Sequence, residues 1–390
     1  MNSHSLKYTP LILPMATPLA AGVALDSHAY DLSYQVYQER DDRIRVEAFY
    51  LRTQFELNSG TTFKFQYLHD AISGASPTGV LPGGVQPFLA DLEDVREGLM
   101  GAISHKFGDH TVEFEMSRSS ESDYLSYGYA LSDTWELNQK NTTISYGLNF
   151  VDDQVAVFGL QDQTKRSYDI FAGVTQIIDK NTLVTVNLTL GYSEGYLNDP
   201  YKVIQRTDIF SVPNGMGGTI DFPVVNVYSE NRPDSRFRQV LQIEGKHYCE
   251  TPNASLNVML RLSHDDYDVF SQTLQVEWKQ AIGESFIVTP FIRYYNQNAA
   301  SFFTNTLDDV SVVTPSVFPD GSGPNYSSDY RLSSFAALSL GLRMRYQISD
   351  NFAASASYEY YSMSGHGSDQ APSQAYVEAD IWTFGFKAEF

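Results

Sequence analysis

The 390-residue chain is acidic, with 26 Lys and Arg against 47 Asp and Glu and a formal net charge of −21 at pH 7. That balance argues against nucleic acid as a partner, because phosphate binding needs clustered basic side chains. Aromatic residues reach 14% (26 Tyr, 24 Phe, 3 Trp) in a chain that is 19% charged, yet no stretch approaches the roughly 18 uninterrupted apolar residues of a membrane helix.

The first residues read as an export signal: Lys7 supplies positive charge, an apolar run extends from Leu11 to Val23, and small residues at Gly22 and Ala24 suit cleavage. This assigns 1–24 to a signal peptide and 25–390 to the mature chain. From there the sequence alternates apolar and polar residues in segments of about the 9–11 residues that a tilted membrane strand requires. Alternation predicts strands at about 44–56, 62–69, 97–107, 110–120, 124–137, 142–152, 166–178, 182–194, 238–248, 254–265, 270–281, 285–297, 331–348, 351–363 and 376–390.

Between them fall tight turns at Asn58–Gly60, Gly108-Asp109, Asn138–Asn141, Asp179–Asn181, Thr251–Asn253, Ile282–Glu284 and Ser349-Asp350. These alternate with long connections near 70–95, 152–165, 195–237, 298–330 and 364–375. Fifteen strands would put the two ends of a chain that enters from the periplasm on opposite sides of the membrane. Tyr30–Glu39, where Tyr30, Leu32, Tyr34 and Val36 alternate, is therefore counted as the first strand. The expectation is an all-β fold: a transmembrane antiparallel β-barrel of about sixteen strands, with short periplasmic turns and long extracellular loops. Its apolar face meets outer-membrane lipid and its charges line the bore, in the outer membrane of a Gram-negative bacterium.

The final segment is the strongest. Trp382, Phe384, Phe386, Ala388 and Phe390 share one face against Thr383, Gly385, Lys387 and Glu389. Thr383, Gly385, Ala388 and Phe390 resemble the C-terminal signal read by the barrel assembly machinery, which makes that machinery an expected partner. In a soluble sandwich such an edge would invite aggregation.

Other features carry less chemistry. Cys249 is the single cysteine, so the chain has no internal disulfide or CxxC redox pair. His264–Asp268 and Asp152-Asp153 offer oxygen ligands for calcium but match no defined calcium loop, and acidic surface loops are the commoner reading. Asp199, Lys202, Arg206, Arg232, Asp234 and Arg236 bracket the longest connection, which either folds into the bore as a plug or is a solvated, ion-paired loop. Tyr294 and Tyr360, near strand ends, read as interfacial girdle. No Ser/His/Asp arrangement or histidine metal cluster is convincing, and the barrel is not read as an enzyme.

One segment stands out. Asp70-Ala71-Ile72-Ser73-Gly74-Ala75-Ser76 reads plainly as a Gly/Ser-rich loop. It also resembles the acceptor motif for covalent flavin in exported flavoproteins, including subunits of sodium-pumping NADH:quinone reductases and Rnf complexes. Asp70, Ser73, Gly74 and Ala75 match that motif, and the resemblance implies Ser76 as the hydroxyl to which a periplasmic transferase would link FMN.

Three segments, Asp70–Gly79, Tyr196–Lys202 and Glu230–Arg236, resemble those of the uncharacterised family catalogued as domain of unknown function 3570, over most of the chain from about residue 28. That resemblance implies an exported barrel, with a flavin transferase, a small lipoprotein and thioredoxin-like proteins in its neighbourhood. Three functions stay open: a flavin-bearing barrel passing electrons to a periplasmic redox partner, a porin-like channel for small solutes, and a scaffold for a small lipoprotein.

Overall fold

Each alternating segment pairs with its neighbours in antiparallel register, and the ladder returns to its own beginning. The structure, a computed structural model, describes residues 25–41, 43–81, 87–157, 162–310, 315 and 318–390. The expected signal segment 1–24 lies outside the described residues.

The first nine strands are β1 (Leu25–Glu39), β2 (Arg45–Leu57), β3 (Thr61–Val80), β4 (Pro87–Phe107), β5 (His110–Ser120), β6 (Tyr124–Leu137), β7 (Thr142–Val155), β8 (Gln163–Asp179) and β9 (Thr182–Gly195). A separate two-stranded hairpin follows, β10 (Val203–Pro213) with β11 (Thr219–Ser229). The barrel resumes with β12 (Ser235–Cys249), β13 (Ala254–Asp265), β14 (Phe270–Ile282), β15 (Phe286–Gln297), β16 (Phe335–Gln347), β17 (Phe352–Gly365) and β18 (Glu378–Glu389). Sixteen of these strands form one closed barrel, with β9 beside β12 and β1 closing against β18. The segment recruited by parity, Tyr30–Glu39, is therefore the closing strand: it pairs with β2 on one side and β18 on the other. Closure removes the open edges that a bilayer cannot hydrate.

All seven expected tight turns join barrel strands at one end, and the long connections gather at the other. Side chains follow the pleat. Trp382, Phe384 and Phe386 face outward, 47%, 52% and 42% exposed, as does Tyr294 of the expected girdle. The intervening positions turn into the bore, where Lys64 pairs with Glu113 at 2.6 Å and Arg343 with Glu277 at 2.8 Å. Apolar outside and charged inside is the reverse of a soluble protein.

Two expected connections prove to be strands. Within 70–95, β3 runs on to Val80 and β4 begins at Pro87, and the two stay paired well beyond Ser73, where pairing with β2 stops at Arg45. Their Gly, Pro and Ser content suggested a loop, but a backbone ladder between two extended segments depends little on side chains. The long 195–237 connection likewise contains the β10–β11 hairpin. Its outer half carries exposed apolar residues, among them Ile209, Phe210 and Phe222.

Buried apolar clusters sit at the loop end. One joins Ile204, Leu307 and Tyr326; another Tyr267, Val269, Ala300 and Leu332; a third Phe335, Ala337, Ala371, Ala375 and Tyr376. The connections thus fold onto one another and into the mouth, forming a plug.

Candidate functional site

The plug is assembled from segments far apart in sequence. Asn231, just after β11, exchanges two backbone hydrogen bonds of 2.9 Å with Tyr326 in the β15–β16 connection. Its side-chain amide donates to the carbonyls of Ser322 and Pro324 at 2.8 and 3.0 Å. These contacts place Glu230 and Arg232 against Asp329 and Arg331.

Arg232 lies between two carboxylates, 2.7 Å from Glu230 and 2.7 Å from Asp329. Arg331 reaches Asp329 at 2.5 Å and also pairs with Asp199. Glu230 further accepts from the Ser327 hydroxyl and the Asp199 amide, each at 2.5 Å. Burial is complete at Glu230 and pushes its carboxyl up to about 7, against the pull of Arg232. Burial acts the same way on Asp329, but Arg331 and Arg232 outweigh it and hold that carboxyl below the usual carboxylate range.

Lys202 completes the cluster. Burial pushes its ammonium down, opposed by Asp329 among others, and it donates to the carbonyl oxygen of Pro77 in the extended part of β3. The plug is therefore tied to the β3 wall through Lys202, and Tyr330 packs it against the β17–β18 connection, with its ring 6.3 Å from that of Tyr376. Removing one partner of a buried ion pair generally costs about 3–5 kcal/mol, because it strands the other charge.

On the opposite wall, a cavity of about 700 Å³ separates the plug from the strands. It is lined by Asp153, Lys165, Asp169 and Arg238 of the barrel and by Tyr196, Asp199 and Arg331 of the plug. Nearby, Asp94, Glu121 and Asp123 each bring a carboxylate oxygen within 4.8 Å of the others, a donor set of the hard-oxygen kind that divalent cations favour. Asp123 already accepts from Tyr201 and Asp94 from Ser122. Within His264–Asp268, Asp265 is engaged by Arg236 and by the amides of Tyr267 and Val269.

The Asp70–Ser76 segment is at this same end but paired. Asp70 is buried and accepts from Arg96 of β4, whose Nε lies 3.0 Å away. Ser73 stands between Arg45 and Glu93, and Ala75 bridges Arg43. Gly74 has φ +117°, and a Cβ there would collide with the Arg43 carbonyl oxygen; a residue without one is required at this crossing. Ser76 is half-buried in the ladder opposite Ala90, followed by buried Pro77 and Thr78. A transferase needs the acceptor segment free to enter its own site. In the folded barrel Ser76 is instead paired along one side with Ala90 of β4.

A family model described as Protein of unknown function (DUF3570) matches residues 9–165 and 159–378. The chain belongs to this family. No curated protein matches it. Among solved structures, this DUF3570 protein is similar to a bacterial polysaccharide outer membrane secretin, with TM-score 0.50 and 9% identity over 93% of this chain and 98% of that one. It is also similar to CdiB from Acinetobacter baumannii, with TM-score 0.50 and 8% identity over 95% of this chain and 66% of that one. The siderophore receptor PirA from Pseudomonas aeruginosa matches with TM-score 0.44 and 12% identity, over 92% of this chain but 60% of the receptor, so the DUF3570 chain spans about three fifths of that protein. At such identities the likeness is one of fold, that of an outer-membrane β-barrel.

Of the charged residues that bracket the longest connection, Asp199, Lys202 and Arg232 meet in this cluster. Arg206, from the same set, pairs locally with Asp208 at 2.9 Å, and Arg236 pairs with Asp265 on the barrel wall. Asp329 and Arg331 were missed. Asp329 falls in a connection without periodicity, and Arg331 was expected to open a strand at 331–348, whereas it lies in the short 3-10 turn Tyr330–Leu332 and that strand begins at Phe335.

Proposed function

We propose that this protein sits in the outer membrane of a Gram-negative bacterium and works as a gated passage for small solutes, closed at its extracellular end by its own loops. The observation that carries this reading is the buried Glu230–Arg232–Asp329–Arg331 cluster, which latches two long connections together across the mouth. An open porin has no use for such a latch, whereas a passage that must stay shut until triggered does. The outward aromatic band supports contact with outer-membrane lipid, and the terminal strand ending at Phe390 supports recognition by the barrel assembly machinery. The reading assigns the barrel no catalytic chemistry.

Planar-bilayer conductance tests it. The native barrel gives small or infrequent currents, and Asp329→Ala with Arg331→Ala gives larger, longer openings, provided the variant still shows the heat-modifiable gel mobility of a folded barrel. Large steady currents from the native protein, unchanged in the variant, would sink the proposal.

A second reading is favoured by the Asp70–Ser76 match within a DUF3570 chain: Ser76 carries covalent FMN, and the barrel serves extracytosolic electron transfer with a periplasmic redox partner or a small lipoprotein. Because Ser76 is locked in the β3–β4 ladder, attachment would have to precede barrel closure. The hydrocarbon core is about 30 Å thick, so one flavin does not span it and a second carrier is needed. Intact mass of the native protein, from cells that possess the transferase, decides. An FMN increment that vanishes in Ser76→Ala supports the reading, and an unmodified Ser76 peptide removes it.

A further inference from the structure

Beneath the plug the bore contains a cavity of about 770 Å³, bounded by inward-facing residues of β9 and β12 to β17. Three arginines line it, Arg238, Arg261 and Arg293, with hydroxyls from Thr189, Ser263, Ser271 and Thr273. No carboxylate is among its lining residues, although the whole chain carries an excess of acids.

Arg261 and Arg293 are held by neutral partners. Both Nε and Nη2 of Arg261 donate to the Gln242 side-chain oxygen, at 3.0 and 2.7 Å. Nε of Arg293 donates to the Gln275 side-chain oxygen at 2.6 Å. A glutamine oxygen fixes a guanidinium without cancelling its charge, and leaves its remaining N–H groups free to point into the cavity. Arg238 has a carboxylate near it, Asp169, at 3.9 Å on the far side of β9. By contrast, Arg343 of the same wall pairs directly with Glu277 at 2.8 Å. Glu359 lines an adjoining cavity that shares Arg293 and Tyr361, so the acidic counterpart lies beside the arginine strip rather than in it.

The remaining wall is apolar, with Val240, Met259 and Ala337 beside three aromatic rings. Tyr295 and Phe335 lie with ring centres 5.5 Å apart, and Tyr361 borders both cavities. A preorganised guanidinium fork matches carboxylate and phosphate oxygens in bidentate geometry, while flat rings accept an apolar body.

We infer that this cavity is a binding site for small organic anions, taking a carboxylate or phosphate head at Arg261 and Arg293 and its apolar remainder on Tyr295, Phe335 and Tyr361. This rests on the gated-passage reading, whose substrate class it names.

The test uses the full barrel purified in detergent, with phenyl phosphate, benzoate, inorganic phosphate and neutral benzyl alcohol as probes in ligand-observed NMR titrations at low salt. Phenyl phosphate and benzoate are expected to bind, inorganic phosphate more weakly, and benzyl alcohol at least tenfold more weakly than benzoate. Arg261→Gln with Arg293→Gln should weaken the two organic anions at least tenfold. Arg293→Lys, which keeps charge and fold but loses the fork, should fall between. Equal binding of the neutral and anionic probes, or undiminished anion binding in the double variant, overturns the inference. If the double variant fails to fold, the Arg293→Lys titration decides alone: affinity equal to the native protein's rejects the site. A barrel that conducts in bilayers but binds no anion would reject the site and leave the passage standing.

Discussion

The backbone groups of His28 and Phe390 exchange two hydrogen bonds of 2.9 Å, and their rings lie 5.1 Å apart. The first described strand and the last residue of the chain thus seal the barrel. Phe390 also meets Phe352 at 5.6 Å edge to face, so its ring bridges both neighbours of β18. Deleting 25–39 would expose β2 and β18 as open edges. The shortened chain is expected to aggregate on refolding and to show no heat-modifiable band on gels. Phe390→Ala keeps the backbone ladder; it should refold in detergent with native mobility yet accumulate poorly in cell outer membranes.

The lipid-facing and bore-facing sides of β18 should respond oppositely to charge. Phe384 points outward near mid-strand, paired with Tyr34 and Ala356, and Thr383 points inward, accepting from Gln35 at 3.2 Å. Phe384→Arg is expected to cost about 2–4 kcal/mol near the bilayer midplane. Thr383→Arg, facing water, should stay within about 1 kcal/mol. Urea unfolding in lipid vesicles measures both, and equal costs would contradict the assigned faces.

Gly74 sits where the extended β3 passes over Arg43. Gly74→Ala must adopt φ +117° and displace the Arg43 carbonyl, which is expected to cost of order 1–3 kcal/mol. The loss should appear as a lower melting temperature with faster hydrogen exchange in 70–80. Gly245→Ala provides the control, because open space surrounds that position.

The latch should tighten in mild acid. Burial raises Glu230 to about 7 from an ordinary value near 4.3, so the closed latch holds that proton more firmly than an open, hydrated one. Its contribution to closure is complete below about pH 4.3 and is lost as pH rises through about 7. Asp329, held low by its arginines, has the opposite sign: its contribution is present above about 3.9 and disappears only as pH falls further. Of the two carboxylates, Glu230 is therefore the one whose effect changes between pH 5 and 8; Lys202, pushed down by burial, acts with the opposite sign, so the Glu230→Gln comparison isolates the carboxyl. Hydrogen exchange in 229–235 and 326–333, corrected for intrinsic rate, should be slower at pH 5.5 than at pH 8. Glu230→Gln should flatten the difference, and a native protein insensitive to pH over this range would contradict the assignment.

The amino-acid sequence by itself determined the barrel. Period-two alternation such as Leu338 to Tyr346, turn residues at seven positions and an aromatic terminus are local signals, and in lipid every backbone group must be paired internally, so alternating strands have one solution. Strand parity even located the closing segment at Tyr30–Glu39. What the sequence could not decide was what fills the mouth. Glu230 and Asp329 are 99 residues apart by numbering, and their meeting at Arg232 depends on two connections folding onto each other, an event with no period to read. The same holds for Ser76. Its neighbours in sequence suggest an accessible loop, but the β4 strand that pairs with it and the Lys202 bond to the next residue are long-range contacts. Only the tertiary structure turned that loop into a locked strand and set three arginines from separate strands around one cavity.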